Sequence, residues 1–168
     1  MFNKKLAIVG ASGAVGRVFI ELLDEMYPGT KDLFLVASKR SAGRSMFCGK
    51  QEFIIQDIEE FDFSQVEIAF FSAGAETAEK YAPIAVSKGC TVIDNSSQFR
   101  TDLDKPLIVP EVNSKDLKNF KHPGIIANPN CSTAQLVVAL KPIHDLFKIE
   151  RVDVASYQSV SGTGKEGI

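Results

Sequence analysis

Residues 10–16 read Gly-Ala-Ser-Gly-Ala-Val-Gly, between an apolar run at residues 5–9 and a segment of helical spacing over 14–26. A strand that turns on glycines into a helix is the opening of a nucleotide-binding β-α-β unit. The glycines permit the tight turn and let backbone N–H groups approach a pyrophosphate at the helix N-terminus. The spacing is G-x-x-G-x-x-G and not the G-x-G-x-x-G dinucleotide fingerprint. Taken alone, a purely structural turn would explain it. The strand before it and the helix after it supply the context that a cofactor site requires.

The rest of the pattern extends that unit into a sheet. In the 14–26 helix, Val15, Val18, Phe19, Leu22, Leu23 and Met26 fall on one face, and Pro28-Gly29 closes the segment. Leu33 to Ala37 is a continuous apolar strand, as expected for a strand buried on both faces. Residues 46–56 read as a hairpin turning at Cys48-Gly49-Lys50. Further strands are expected at 66–72, 91–94 and 124–127, and helices at 75–88 and from Cys131 towards Phe147. Residues 95–124 read as loop with a short helix at 114–118, and Pro142 predicts a kink or early stop near Lys141. The alternation calls for an α/β, Rossmann-like, doubly wound parallel sheet with helices on both faces. From Arg151 a strand runs into a glycine-rich loop, read as the first strand of a second α+β domain.

Composition narrows the partners. A net charge of −2 offers no basic excess to neutralise phosphates, so nucleic acid is not an expected partner. No apolar run reaches the length of a membrane span, and the N-terminus passes directly into a strand, so a cytoplasmic protein is expected. Three cysteines, an odd number with no C-x-x-C pair, point to a reducing compartment, with neither a disulfide framework nor a metal site.

Two segments carry chemistry. In Asn128-Pro-Asn-Cys-Ser-Thr-Ala-Gln, Cys131 stands at the mouth of a predicted helix. Helix N-termini expose unpaired N–H groups carrying about half a positive charge, which favours a thiolate over a thiol. Free cysteines are more often small buried hydrophobes, the reading given to Cys48 and Cys90. Asn128, Asn130, Ser132 and Thr133 around Cys131 suit a site in contact with substrate. After the second strand, Ser38-Lys39-Arg40-Ser41-Ala42-Gly43 lacks the acid that NAD sites place on the ribose hydroxyls. An arginine with flanking hydroxyls suits the extra 2′-phosphate of NADP. His122 and His144 are read as solvent-exposed. A nucleophilic thiol and a dinucleotide site in one chain point to a dehydrogenase that forms or oxidises an aldehyde.

Several of these segments, in this order, resemble the aspartate-semialdehyde dehydrogenases: the 10–16 turn, S-K-R-S-A-G at 38–43, S-A-G at 72–74, D-N-S-S-Q-F-R at 94–100, P-N-C-S-T at 129–133 and Y-Q-S-V-S-G-T-G at 157–164. The resemblance covers the chain from its first strand to its last residue. It implies NADPH-dependent reductive dephosphorylation of L-aspartyl 4-phosphate to L-aspartate 4-semialdehyde, on the route to lysine, threonine, methionine and isoleucine. By that resemblance Cys131 is the nucleophile that forms a thioacyl enzyme, and Gln158 orients the acyl group and binds substrate. Arg100 anchors the substrate phosphate, helped by Asn130. The cofactor would meet Gly10, Ser12, Gly13, Ala14, Val15, Arg40, Ser41, Ser72, Ala73, Gly74, Ser161 and Gly162.

The resemblance also implies a longer enzyme, a homodimer or homotetramer, whose further residues carry an acid/base histidine and the groups that hold the substrate's amino and carboxylate ends. The expected division is an NADP-binding domain at 1–130 and, at 131–168, the cysteine helix with the start of a substrate and dimerisation domain. On this reading the 168 residues are the front half, able to bind cofactor with negligible turnover. The alternatives are a sister N-acetylglutamyl-phosphate reductase and a non-catalytic NADP-binding module.

Overall fold

The computed structural model describes residues 4–160. Strands β1 (Leu6–Val9), β2 (Leu33–Ala37), β3 (Ser45–Cys48), β4 (Gln51–Asp57), β5 (Ile68–Phe71), β6 (Thr91–Asp94) and β7 (Ile125–Ala127) form one seven-stranded sheet in the order β3-β4-β2-β1-β5-β6-β7. Every neighbouring pair is parallel except the β3–β4 hairpin. The helices are α1 (Ala14–Met26), α2 (Ala75–Ser87), α3 (Pro110–Asn113) and α4 (Cys131–Phe147). The architecture is the expected α/β, Rossmann-like one. The short helix expected at 114–118 is a 3-10 segment, Ser114–Asn119, following directly on α3.

Strand alternation divides the core into two layers, one on each side of the sheet. In β1, Leu6 and Ile8 face the layer with Ile20 and Leu23 of α1. Ala7 and Val9 face the layer with Ala78, Ala82 and Ala85 of α2. Three alanines on one line let α2 lie close to the sheet. On the α1 side Phe19 stacks on Phe70, with ring centroids 4.1 Å apart. On the α2 side Phe63 packs edge-on to Phe61 and stacks on Phe71.

Three sequence expectations need correction. The first is the inward face of α1. Phe19 and Leu23 do face the sheet, but with Gly16 and Ile20, whereas Val15, Val18, Leu22 and Met26 are each 48% exposed or more. Gly16 sets this rotation: a Cβ there would lie 2.4 Å from the Gly10 carbonyl oxygen and 2.9 Å from Ala11 Cα. The helix is drawn against the turn along its glycine line, and a count of hydrophobic positions gives that line no weight.

The second concerns Pro142. Of the expected kink or early stop, the stop does not occur: the helix runs through Pro142 to Phe147. Pro142 is exposed, as is Pro83 within α2. On a solvent-facing side, water can satisfy the carbonyl a proline leaves unpaired. The third is the strand expected from Arg151: residues 151–159 carry neither helix nor strand and are exposed. A strand needs a partner edge, and none of the described residues supplies one here.

The corrected face of α1 is directly testable. Ile20→Ala is expected to lower stability by about 2–5 kcal/mol, and Val18→Ala to stay within about 0.5 kcal/mol. Urea unfolding of the two variants measures both; equal costs would contradict the orientation.

Candidate active site

The parallel register brings the ends of five strands to one edge. Val9 pairs with Val36 and Phe71, Phe71 with Asp94, and Asp94 with Ala127. The segments after those residues therefore emerge together: the glycine turn, 38–43, 72–74, 95–100 and 128–131. Between β2 and β5, on either side of β1, the connection changes direction across the sheet. Open α/β sheets bind ligands in the crevice outside the strand ends at such a switch.

Gly10 closes that crevice. Its φ of +89° favours glycine, and a Cβ there would lie 2.4 Å from the Ser72 carbonyl oxygen and 3.0 Å from the Ala73 nitrogen. The turn and the 72–74 segment thus touch backbone to backbone. Gly10 N and Ala11 N donate to the Val36 carbonyl, and Gly13 N to the Gly10 carbonyl. Gly13 is the N-cap of α1, with Ala14 and Val15 exposed in the first turn. Gly74 is the N-cap of α2, at a φ of +87° where Gly13 is extended at −76°.

The loop after β2 joins this crevice. Ser41 is buried, turns back to Ser38 through its N–H, and accepts a 3.1 Å hydrogen bond from the Ser12 hydroxyl. Arg40 beside it is exposed. The structure therefore brings together Gly10 with Ser72 and Ala73, and Ser12 with Ser41. Ser161 and Gly162 lie outside the described residues.

Cys131 is the first residue of α4 and is exposed; Cys48 and Cys90 are buried, as expected. The Asn130 side chain caps the helix, accepting from Ser132 N at 3.0 Å and from the Ser132 hydroxyl at 2.6 Å. The Cys131 Sγ stands 3.8 Å from the same Asn130 Oδ1. Gln135 Nε2 donates to the Cys131 carbonyl one turn on. A cavity of about 710 Å³ is lined by Cys131, Ser132, Thr133, Gln135 and Leu136 on one side, and by Val154 and Ser156–Ser159 on the other. Gln158 and Cys131 thus face one space. A larger cavity of about 920 Å³ lies between the end of α2 and the 102–125 segment, and holds none of the residues selected from the sequence.

Arg100 lines neither cavity. Half-buried, it donates from Nε to the Asn128 carbonyl at 2.9 Å and from Nη2 to the Asn95 carbonyl at 3.0 Å. Asn128 Nδ2 donates to Asn95 Oδ1 at 2.6 Å. Below them, the fully buried Asp94 accepts from the Ser96 N–H at 3.1 Å and its hydroxyl at 2.7 Å. Sequence reasoning singled out neither Asn95 nor Asp94, and valued Asn128 only as a polar neighbour. Their partnership spans 33 residues and leaves no spacing signal.

Burial pushes the Asp94 carboxyl above the ordinary aspartate value, and the Ser96 hydrogen bonds and the Arg100 charge pull it partly back. Because folding raises this value, the group's contribution to stability is present below the ordinary aspartate range. It is lost as pH rises through the folded value. A carbon-detected NMR titration should place the Asp94 midpoint above that of a free aspartate; a midpoint at or below it would contradict the burial argument. Burial also pushes the Cys90 thiol up to about 12 and raises Cys48, the latter helped by Asp24. Native iodoacetamide labelling at pH 8 should therefore modify Cys131 alone, read by peptide mass spectrometry. Labelling of Cys90 at a comparable rate would overturn the packing around it.

Among the described residues, no helix is long and apolar enough to cross a membrane. Residues 5–120 match the family model of the semialdehyde dehydrogenase NAD-binding domain, and residues 140–168 that of the semialdehyde dehydrogenase dimerisation domain. The chain is 56% identical to the aspartate-semialdehyde dehydrogenase of Shewanella violacea over 97% of its own length and 48% of that protein. It superposes with a TM-score of 0.94 and 51% identity on Vibrio cholerae aspartate semialdehyde dehydrogenase II complexed with ASA, covering 99% of this chain and 50% of that one. Against Candida albicans aspartate semialdehyde dehydrogenase with NADP the TM-score is 0.70 at 30% identity, over 87% of this chain and 48% of that one. The chain spans about half the length of the curated relatives it matches. With the glycine turn and the ends of β1, β2, β5 and β6 inside the NAD-binding match, and the later part of the cysteine helix inside the dimerisation match, this chain belongs to the semialdehyde dehydrogenase family.

Proposed function

We propose that this protein acts as an NADP-dependent aspartate-semialdehyde dehydrogenase, reducing L-aspartyl 4-phosphate to L-aspartate 4-semialdehyde and phosphate. The observation that carries the reading is the shared cavity of Cys131 and Gln158, built onto the edge where the glycine turn opens. A chain that only held a nucleotide would have no use for an exposed thiol facing an amide across a cavity. The likeness to enzymes of that name supports the substrate.

The cofactor fits the crevice described. Gly10 leaves no room for a side chain and so keeps backbone at the turn. The Ser12–Ser41 pair, with Arg40 beside it, offers hydroxyls and a guanidinium suited to a 2′-phosphate. Ser72, Ala73, Gly74 and the α1 N-terminus complete the set of cofactor contacts, with Ser161 and Gly162 beyond the described residues. Bound NADPH would supply the hydride that ends the reaction in an aldehyde.

The chain's own residues prepare the substrate for it. The Cys131 sulfur attacks the 4-acyl carbon, the bond from that carbon to the phosphate oxygen breaks, and phosphate leaves with the electron pair. A thioacyl group on Cys131 results, and a covalent step of this kind divides one hard reduction into two easier ones. Arg100 receives the departing phosphate with its guanidinium, and Asn130 stands next to the nucleophile as a further polar contact. Gln158 donates to the acyl oxygen and holds the carbonyl in place as charge develops on it. The division at 130/131 then separates cofactor binding from the nucleophile, in a cytoplasmic homo-oligomer.

The test uses protein from the complete open reading frame, oxidising L-aspartate semialdehyde with NADP and inorganic phosphate. Cys131→Ser should lower kcat by on the order of a thousandfold with NADP binding intact. Retention of kcat in that variant would remove the thioacyl route. A kcat/KM on N-acetylglutamate semialdehyde equal to that on the aspartate compound would transfer the assignment to the sister reductase.

A further inference from the structure

The hydrogen bonds between residues 94–100 and Asn128 form a closed ring. Asn128 N–H donates to the Asp94 carbonyl at 2.8 Å, and its Nδ2 to Asn95 Oδ1 at 2.6 Å. Arg100 closes the ring from Nε to the Asn128 carbonyl and from Nη2 to the Asn95 carbonyl. The two carbonyls that aim the guanidinium therefore belong to the two residues whose side chains grip each other. Both acceptors are neutral. Asp94, the nearby acid, has its two oxygens taken by Ser96. Among the described residues no ion pair involves Arg100. A guanidinium oriented by neutral groups keeps its charge for an incoming anion, and turning its fork would break two bonds at once.

The ring also reaches the nucleophile. Asn128 follows β7 directly, Pro129 after it is buried, and Asn130 caps the helix that begins with Cys131. Fixing Asn128 at both its backbone and its side chain therefore fixes the root of the Cys131 helix against the Arg100 loop. Two loops leaving neighbouring strands have no covalent tie to hold such a spacing.

We propose that Asn95 and Asn128 are positioning residues for phosphate transfer: their side-chain pair holds the carbonyls that orient Arg100 and sets its distance from Cys131. This rests on the reading of Arg100 as the phosphate anchor. Neither asparagine side chain touches the reacting atoms; both act through Arg100 and the Cys131 helix.

The experiment varies inorganic phosphate at saturating NADP and L-aspartate semialdehyde, in protein from the complete open reading frame. Asn95→Ala and Asn128→Ala are each expected to raise the phosphate KM about tenfold, the loss of one preorganised charge-assisted contact, with the NADP KM unchanged. Because the two side chains act as one clip, the double variant should be no worse than the weaker of the two single variants. A loop role without positioning would instead lower the thermal midpoint and leave the phosphate KM alone. Should Asn128→Ala not fold, Asn95→Ala carries the test, since it removes the same bond from the opposite side. Arg100→Gln is measured in parallel. If it leaves the phosphate KM unchanged, the anchor reading itself fails. If it raises that KM while the asparagine variants do not, or if their effects simply multiply, this inference alone is overturned.

Discussion

Backbone against backbone, Gly10 on Ser72 and Gly16 on Gly10, is the contact from which the rest of this molecule follows. At both glycines an added Cβ would sit 2.4 Å from a carbonyl oxygen, well inside any allowed contact. The first fixes the separation of the loops after β1 and β5. The second fixes how deeply α1 settles onto the turn. Once those are set, the parallel register carries the remaining loops to the same edge, and helix N-termini at Gly13 and Gly74 open towards it. The crevice is a consequence of main-chain packing, and side chains are added to a geometry already decided.

The crevice beside the glycine turn and the surroundings of Cys131 are built by different means. The crevice draws on the deep core, with β1 buried along its whole length and aromatic stacks on both sides of the sheet. Helix α4, by contrast, has no buried residue, and Leu146 and Phe147 near its end are largely exposed. The Cys131 end is held by its Asn130 cap and by the polar ring at Asn128. Where a rigid scaffold ends, hydrogen bonds between asparagines and an arginine continue the alignment. That division leaves the outer side of α4 open, and the dimerisation-domain model begins within this helix, at residue 140.

Much of this was legible along the chain. The helices at 14–26 and 75–87 and the strands at 33–37 and 91–94 stand where period and punctuation put them. Such signals are local: an apolar run, a glycine, a cap. The facing of α1 was not legible, because its apolar arc is wide enough to allow two orientations and a glycine, silent in any hydrophobic count, chose between them. Passage of α4 through Pro142 was hidden for a related reason. A proline's cost depends on whether its face meets water or core, and only packing decides that.

Sequence alone determined the order of the sheet strands and of the three long helices, the class of fold and the chemical identity of the thiol, since each is set by residues within a few positions of one another. Only the tertiary structure decided which groups bond to one another: Ser12 with Ser41, Asn95 with Asn128 and both with Arg100. Those pairs lie about thirty residues apart in the chain, or only a few apart but oriented by a third, distant partner. Hydrogen bonds of that reach are fixed by strand order and register, and the physical quantity that settles them is the alignment of neighbouring strands, which no single segment contains.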